Sequence, residues 1–326
     1  PNRDAYAETC ASIGLMFFAS RMLENEVNSE YADVMERAFY NTVLAGMQLD
    51  GKRFFYVNPL ECVPGISGKA PTHRHDLTVR PKWYTCACCP PNVARLISSF
   101  GKYSYGENNN TVFCHMYADG EISFENGIKL SCETDYPYGF TINYTILEGN
   151  GTVAIRIPAW SKKYGLSINS QQVTINDSLD ISSDSNSNVK FKNGYAYIPV
   201  KKGDKVSLIL DSSPYHVYAS TKVPKLTGQT AICRGPLVYC FEGVDNDSDV
   251  LSLSLSSNGS LKVSGYDASL LNGTCKITAE AFKTTISDDL YSMKTPERTA
   301  CHAIAVPYYT WGNRGENQMR VWMNEI

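Results

Sequence analysis

The sequence has no long hydrophobic run, no excess of basic residues, no regular cysteine framework and no internal repeat, and each absence removes a class of function. Its longest apolar runs fall well short of the roughly twenty residues that a membrane-spanning helix needs. A net charge of -3 and a pI near 6.0 leave no basic footprint for nucleic acid or an anionic membrane. Nothing at the N-terminus has the form of a signal peptide. The chain reads as starting inside a longer protein, so that absence says little about destination. Eleven cysteines, an odd number without regular spacing, suit a reducing compartment better than a disulfide-stapled secreted domain, and the expected localisation is cytoplasmic.

What is present is length, a change of pattern along the chain, and one dense cysteine motif. At 326 residues the chain exceeds what one core usually serves, so two or three domains are expected. From Glu8 to about Tyr105 the pattern is helical. Ile13, Phe17 and Met22 recur with alanines between them, Tyr31 to Met47 repeats an apolar face, and a third helix is predicted from Pro90-Pro91 through Val93, Leu96, Ile97 and Phe100 to Gly101. The long connection from Gly51 to Tyr84 is of a kind that often carries function.

After Gly106 the pattern becomes one of short Val-, Ile-, Tyr- and Phe-rich runs. Asp119-Gly120, Asn126-Gly127, Gly149-Asn150-Gly151 and Asn193-Gly194 separate them and read as turns between antiparallel strands. One β-sandwich is expected to end near Leu210, with a polar loop at 182–188, and a second β-rich region follows Ser212-Ser213-Pro214. The expected domains are therefore 1–105, 106–212 and 213–326.

Trp83-Tyr84-Thr85-Cys86-Ala87-Cys88-Cys89-Pro90-Pro91-Asn92 places three cysteines within four positions. A single buried cysteine is usually a small hydrophobe, but three together point to chemistry. Neighbouring residues face one centre only if the backbone turns between them, and Pro90-Pro91 makes a turn plausible there. A disulfide between neighbours would be strained, which leaves a metal that takes thiolates. Glu8 and Cys10, at the start of the first helix, would supply further ligands if an extended or capping turn aimed both at one point. Glu8 equally reads as a first-turn acid favourable to the helix dipole. Glu8, Cys10, Cys88 and Cys89 make a credible four-ligand set for Zn2+.

Four segments, Glu8-Thr9-Cys10-Ala11-Ser12-Ile13-Gly14, Met35-Glu36-Arg37-Ala38-Phe39-Tyr40-Asn41, Phe54-Phe55-Tyr56-Val57-Asn58-Pro59-Leu60 and Cys86-Ala87-Cys88-Cys89-Pro90-Pro91-Asn92, resemble glycoside hydrolase family 127, the β-L-arabinofuranosidases. Arg234-Gly235-Pro236-Leu237-Val238-Tyr239 and Tyr308-Tyr309-Thr310-Trp311-Gly312-Asn313-Arg314 extend the resemblance over nearly the whole chain. It implies part of an (α/α)6 barrel followed by two antiparallel β-sandwich domains. It also implies zinc on Glu8, Cys10, Cys88 and Cys89, and a retaining reaction in which Cys88 is the nucleophile. Its substrate would be an arabinose-containing oligosaccharide or glycoside, and a homodimer through the C-terminal domain is permitted. In the family the glutamate that protonates the leaving oxygen lies upstream of the Glu-Thr-Cys segment. The chain is accordingly expected to be a C-terminal part of a longer enzyme and inefficient alone.

The resemblance also suggests substrate contacts for Tyr56 and Glu36. A core tyrosine and a solvated ion-pair partner beside Arg37 are the plainer alternatives. His73 and His75 have the look of a metal pair but fit a solvated loop better. Cys86 is expected near the metal without binding it, and Cys62, Cys114, Cys132, Cys233, Cys240, Cys275 and Cys301 are expected in strands or loops as buried residues. A reading of another class treats the β-sandwich part as a carbohydrate-binding or dimerisation module with a purely structural zinc. Trp160, Trp311 and Trp322 would then be its first candidate contacts, although core packing is their commoner job.

Overall fold

The computed structural model describes residues 2, 5–69, 75–173, 188–285 and 289–326. The fold is mixed, mostly sheet with few helices. Contacts divide it into two compact units, one made of Pro1–Ile13, Phe39–Val93 and Ser213–Ile326, the other of Gly14–Ala38 and Ala94–Ser212. Among the described residues no helix is long and apolar enough to cross a membrane.

Helix α1, Thr9–Asn25, buries Ile13, Met16, Ala19 and Leu23, the spacing of one helical stripe. Helix α2, Ser29–Arg37, starts where the Asn28 side chain accepts the Glu30 N–H at 3.0 Å. The predicted continuation to Met47 is interrupted, because Ala38–Val43 winds as a wider π-helical turn. That turn contains Asn41, whose amide donates to the Pro236 carbonyl (2.9 Å) and accepts from the Val238 N–H (2.8 Å). Helix α3, Cys89–Ser98, has Pro90 and Pro91 in its first turn, where the missing N–H groups would have had no helical partner.

The second unit holds two sheets. A five-stranded sheet runs in the order Lys190–Lys192, Tyr195–Lys201, Asn150–Arg156, Thr111–Cys114, Tyr105–Asn108. A six-stranded sheet runs Gly120–Ser123, Lys129–Glu133, Thr141–Glu148, Lys205–Leu210, Tyr164–Ile168, Gln171–Gln172. Alternation along Thr141–Glu148 sends Ile142, Tyr144 and Ile146 inward. They join Val112, Val153, Ile155 and Ile198 of the other sheet in one hydrophobic cluster.

Two of the four predicted turns make hairpins. Asn126-Gly127 joins antiparallel strands, and so does Asn193-Gly194, where φ values of 48° and 75° suit a two-residue loop. Asp119-Gly120 and Gly149-Asn150-Gly151 instead carry the chain from one sheet to the other. As a result, Thr111–Cys114 runs parallel to Asn150–Arg156. Turn chemistry specifies a reversal, but not which edge the next strand joins. Most of the 182–188 loop lies outside the described residues.

In the first unit the predicted second β region is a single ten-stranded sheet. Gln229–Arg234 and Leu237–Glu242 pair with each other as well as with other strands, which closes the path on itself. One pair is parallel, Leu253–Leu255 with Met323–Glu325. A short strand from the long connection, Glu61–Cys62, joins by pairing with Met319–Arg320. Phe55, Cys62, Cys240, Val306, Tyr308, Trp311 and Met319 share the core beneath it. The buried Arg80 guanidinium lies 4.4 Å from the Phe55 ring and donates to the Ala45 and Trp311 carbonyls.

Candidate functional site

Two helix starts converge in the first unit. Cys10 stands in the first turn of α1 and Cys89 is the first residue of α3, so both sulfurs sit where a helix presents its positive end. Cys10 Sγ lies 3.6 Å from Cys89 Sγ, and Cys88 Sγ lies 3.7 Å from Cys89 Sγ. All three lie within 4.8 Å of one another. A disulfide would need about 2.0 Å, and every described cysteine is a free thiol. Sulfurs bound at about 2.3 Å to one tetrahedral ion would stand about 3.8 Å apart. The two short separations come close to that spacing, so the donor set fits zinc in chemistry and in size. Burial, then the Cys10 and Cys88 thiols, push the Cys89 thiol well above its ordinary value. A cation shared by the three would relieve that repulsion.

The Glu8 carboxylate is not part of this close group among the described residues. Glu8 forms an isolated antiparallel bridge with Val57, and its carbonyl accepts the Ser12 N–H at 3.0 Å, which makes it the residue that caps α1. The extended backbone before the helix is thus present at Glu8, and the helix begins at Thr9. Between them Thr9 N–H donates to the Tyr56 carbonyl at 3.0 Å and Asn58 N–H to the Ala7 carbonyl at 2.9 Å.

Tyr56 is half-buried between the buried Phe55 and Val57. Its phenol is pushed up by desolvation, then by Glu8, Cys88, Tyr6 and Cys86, which places its hydroxyl in the field of the thiol group. The Tyr56 ring centroid lies 5.9 Å from that of Tyr84 and 6.0 Å from that of His75. Burial, the first cause, also pushes Tyr84 up to about 12. Tyr6, exposed beside the site, is raised by partial burial and then by Glu8, Cys89 and Cys88. Cys86 is exposed and stands apart from the three clustered thiols. His73 lies outside the described residues, so the histidine pair has no geometry here.

Glu36 belongs to the other unit, where it is 1% exposed. It pairs with Arg156 and accepts hydrogen bonds from Tyr136 Oη (2.6 Å) and Trp160 Nε1 (3.0 Å). Its ionic partner is therefore 120 residues away, and the pair is buried rather than solvated. Asp33 also holds Arg156, and its carboxyl is pushed up by burial ahead of the opposing effect of that guanidinium.

Tyr6, Thr9, Asn58 and Tyr84 also belong to the surroundings of the site, although their residue types alone assign them no role there. Tyr84 stands within the quoted cysteine motif and had a positional signal, whereas nothing local links Asn58 to Thr9. Of the tryptophans, Trp311 is 1% exposed and stacks on Phe55 at 4.9 Å, while Trp160 and Trp322 are partly buried against cores. The exposed tryptophan is Trp83, at 69%.

Family profiles match in chain order. The β-L-arabinofuranosidase GH127 catalytic domain matches residues 1–102, the GH127 middle domain residues 111–212, and the glycoside hydrolase family 127 C-terminal domain residues 214–324. The chain is similar to the non-reducing end β-L-arabinofuranosidase of Bifidobacterium longum subsp. longum, 35% identical over a 340-residue alignment that covers 99% of this chain and 49% of that protein. It is also similar to a crystal structure of a GH127 β-L-arabinofuranosidase from Geobacillus stearothermophilus T6, with 41% identity, TM-score 0.91, and coverage of 100% of this chain and 51% of that one. A further solved GH127 β-arabinofuranosidase is 32% identical with TM-score 0.85, covering 100% and 50%. The chain spans about half the length of these relatives. Profiles of one family in order along nearly all of its length, with solved members of that family superposing on all of it, mean that the chain belongs to glycoside hydrolase family 127.

Proposed function

We propose that the chain is part of a retaining glycoside hydrolase that releases L-arabinofuranose from an arabinose-containing oligosaccharide or glycoside, with Cys88 as nucleophile. The observation that carries this reading is the meeting of Cys10, Cys88 and Cys89 with sulfurs 3.6 and 3.7 Å apart at two helix N-termini. Cys10, Cys88 and Cys89, with Glu8 completing the set, would hold Zn2+. When bound, such an ion keeps thiols ionised near neutral pH and restrains them in place.

The Cys88 thiolate attacks the anomeric carbon, forming a C–S bond as the glycosidic C–O bond breaks and its electron pair passes to the leaving oxygen. A glutamate in the part of the family's length that these residues do not span protonates that oxygen. Water then gives a proton back to that glutamate as its oxygen attacks the same carbon, the C–S bond breaks, and the electron pair returns to the Cys88 sulfur. Two displacements retain the anomeric configuration. Tyr56, with its hydroxyl in the field of Glu8 and Cys88, offers the sugar an aromatic face and a hydrogen bond. Glu36, saturated by Arg156, Tyr136 and Trp160, offers a sugar no free carboxylate. The helical first third then reads as part of an (α/α)6 barrel, with β-sandwich domains after it.

The test is incubation of the purified protein with an arabinofuranosyl electrophile, followed by mass mapping of its peptides. A sugar on Cys88 supports the reading. A sugar carried only on another residue, or undiminished turnover by Cys88→Ser, would overturn it. The competing reading, a carbohydrate-binding module with a structural zinc, is less favoured because Trp311 is spent in the core.

A further inference from the structure

Thr9 and Asn58 are both fully buried and lie 49 residues apart, yet their side chains meet: Asn58 Nδ2 donates to Thr9 Oγ1 at 2.9 Å. Asn58 Nδ2 also donates to the Ala7 carbonyl at 3.0 Å, and Thr9 Oγ1 donates to the Phe55 carbonyl at 3.0 Å. With the two backbone bonds between these segments, the side chains clamp the backbone on both sides of Glu8 and Tyr56. A third wall is Gly46, where an added Cβ would meet Thr9 Cγ2 and Oγ1 at 2.6 Å. Asn58 Oδ1 is buried without a hydrogen-bond partner among the described residues. An amide retained at that cost points to work done by its donor side.

We infer that Thr9 and Asn58 are positioning residues for the metal ligands, locking the backbone from which Glu8 and Cys10 project. The inference rests on the zinc reading above. Thr9 stands between the two ligands in the chain, so a rotation of its backbone re-aims both. Cys88 and Cys89 arrive on a different segment, so the clamp, which ties residues 7–9 to residues 55–58, fixes the Glu8 and Cys10 half of the ligand set that must meet them. Groups that orient ligands in this way are typically worth about 10–100-fold in metal affinity.

The test is zinc affinity, measured by competition with a chromogenic chelator, on the purified protein and on Thr9→Val, Thr9→Ser and Asn58→Ala. Val321→Ala, in the core of the same unit, serves as a control that lowers stability while leaving the Thr9 and Asn58 side chains intact. Thr9→Val and Asn58→Ala should bind zinc about 10–100-fold more weakly, Thr9→Ser should restore most of the affinity, and Val321→Ala should keep it. Wild-type affinity in Thr9→Val, or an equal loss in Val321→Ala, would overturn the inference. Should Asn58→Ala fail to fold, the Thr9→Val and Thr9→Ser pair decides alone. A wild-type protein that binds no zinc would instead sink the metal reading itself, before any variant is made.

Discussion

Replacing Arg156 by methionine should destabilise the protein by about 3–5 kcal/mol, the usual cost of removing one partner from a buried ion pair. The guanidinium is fully buried and is held by Glu36, 1% exposed, and by Asp33, 18% exposed. It also donates to the His115 carbonyl at 2.6 Å. At an effective dielectric of about 20, each close pair is worth up to about 4 kcal/mol, against a desolvation penalty of several kcal/mol per ion. Glu36 keeps Tyr136 and Trp160 as donors, which places the loss toward the lower end of the range. Asp33 lies nearer solvent and contributes less. The decisive comparison is with Arg156→Met combined with Glu36→Gln and Asp33→Asn. With no buried charge left unpaired, the triple variant should recover at least about 1–2 kcal/mol of the single variant's loss. Urea denaturation followed by circular dichroism at pH 7 reads all of these. A single variant within about 0.5 kcal/mol of wild type, or a triple variant less stable than the single one, would refute the reasoning.

Other consequences follow from the same structure. His115 is buried against Tyr195, with Nδ1 2.8 Å from the Tyr195 hydroxyl, and burial followed by the Arg156 charge lowers its pKa to about 4. Because the folded value lies below the unfolded one, the unfolded chain binds the extra proton first. Stability is then complete above about pH 6.5 and falls toward pH 4, by up to about 3 kcal/mol. Urea midpoints at pH 7 and pH 5 should differ more for wild type than for His115→Gln. Gly149 has φ of 83°, and an added Cβ would meet the Gly127 carbonyl oxygen at 2.4 Å, so Gly149→Ala should cost more than about 2 kcal/mol in the same assay. Arg80→Lys cannot reach both the Ala45 and Trp311 carbonyls and loses the planar stack on Phe55. A loss of about 2–4 kcal/mol is expected on thermal or urea unfolding.

Features encoded within a few residues were legible before the fold was known. Cys88-Cys89-Pro90-Pro91 announced a turn into a helix with thiols at its start, and the structure puts Cys89 at the first position of α3. Asn193-Gly194 announced a hairpin because Asn and Gly accept two positive φ values in succession at little cost. Long-range choices were not legible. Asp119-Gly120 has the same local chemistry as a hairpin turn, yet leads to the other sheet, where Gly120–Ser123 pairs with Lys129–Glu133, a partner that lies beyond the turn in sequence. Glu36 shows no sign that its cation is Arg156, which arrives from a strand 120 residues later. The π-helical turn at Ala38–Val43 is likewise invisible to periodicity, because Asn41 satisfies it through Pro236 and Val238. At the candidate site the three clustered sulfurs were all named from sequence, while the Thr9 and Asn58 clamp that flanks them needed coordinates.

The central claim is that Cys10, Cys88 and Cys89 share one metal ion. X-ray absorption at the zinc edge, on protein purified under reducing conditions with its metal content measured, tests it most directly. The expected result is about one zinc per chain with about three sulfur neighbours at about 2.3 Å and one lighter ligand. A protein without zinc, or a zinc surrounded only by oxygen and nitrogen, would contradict it.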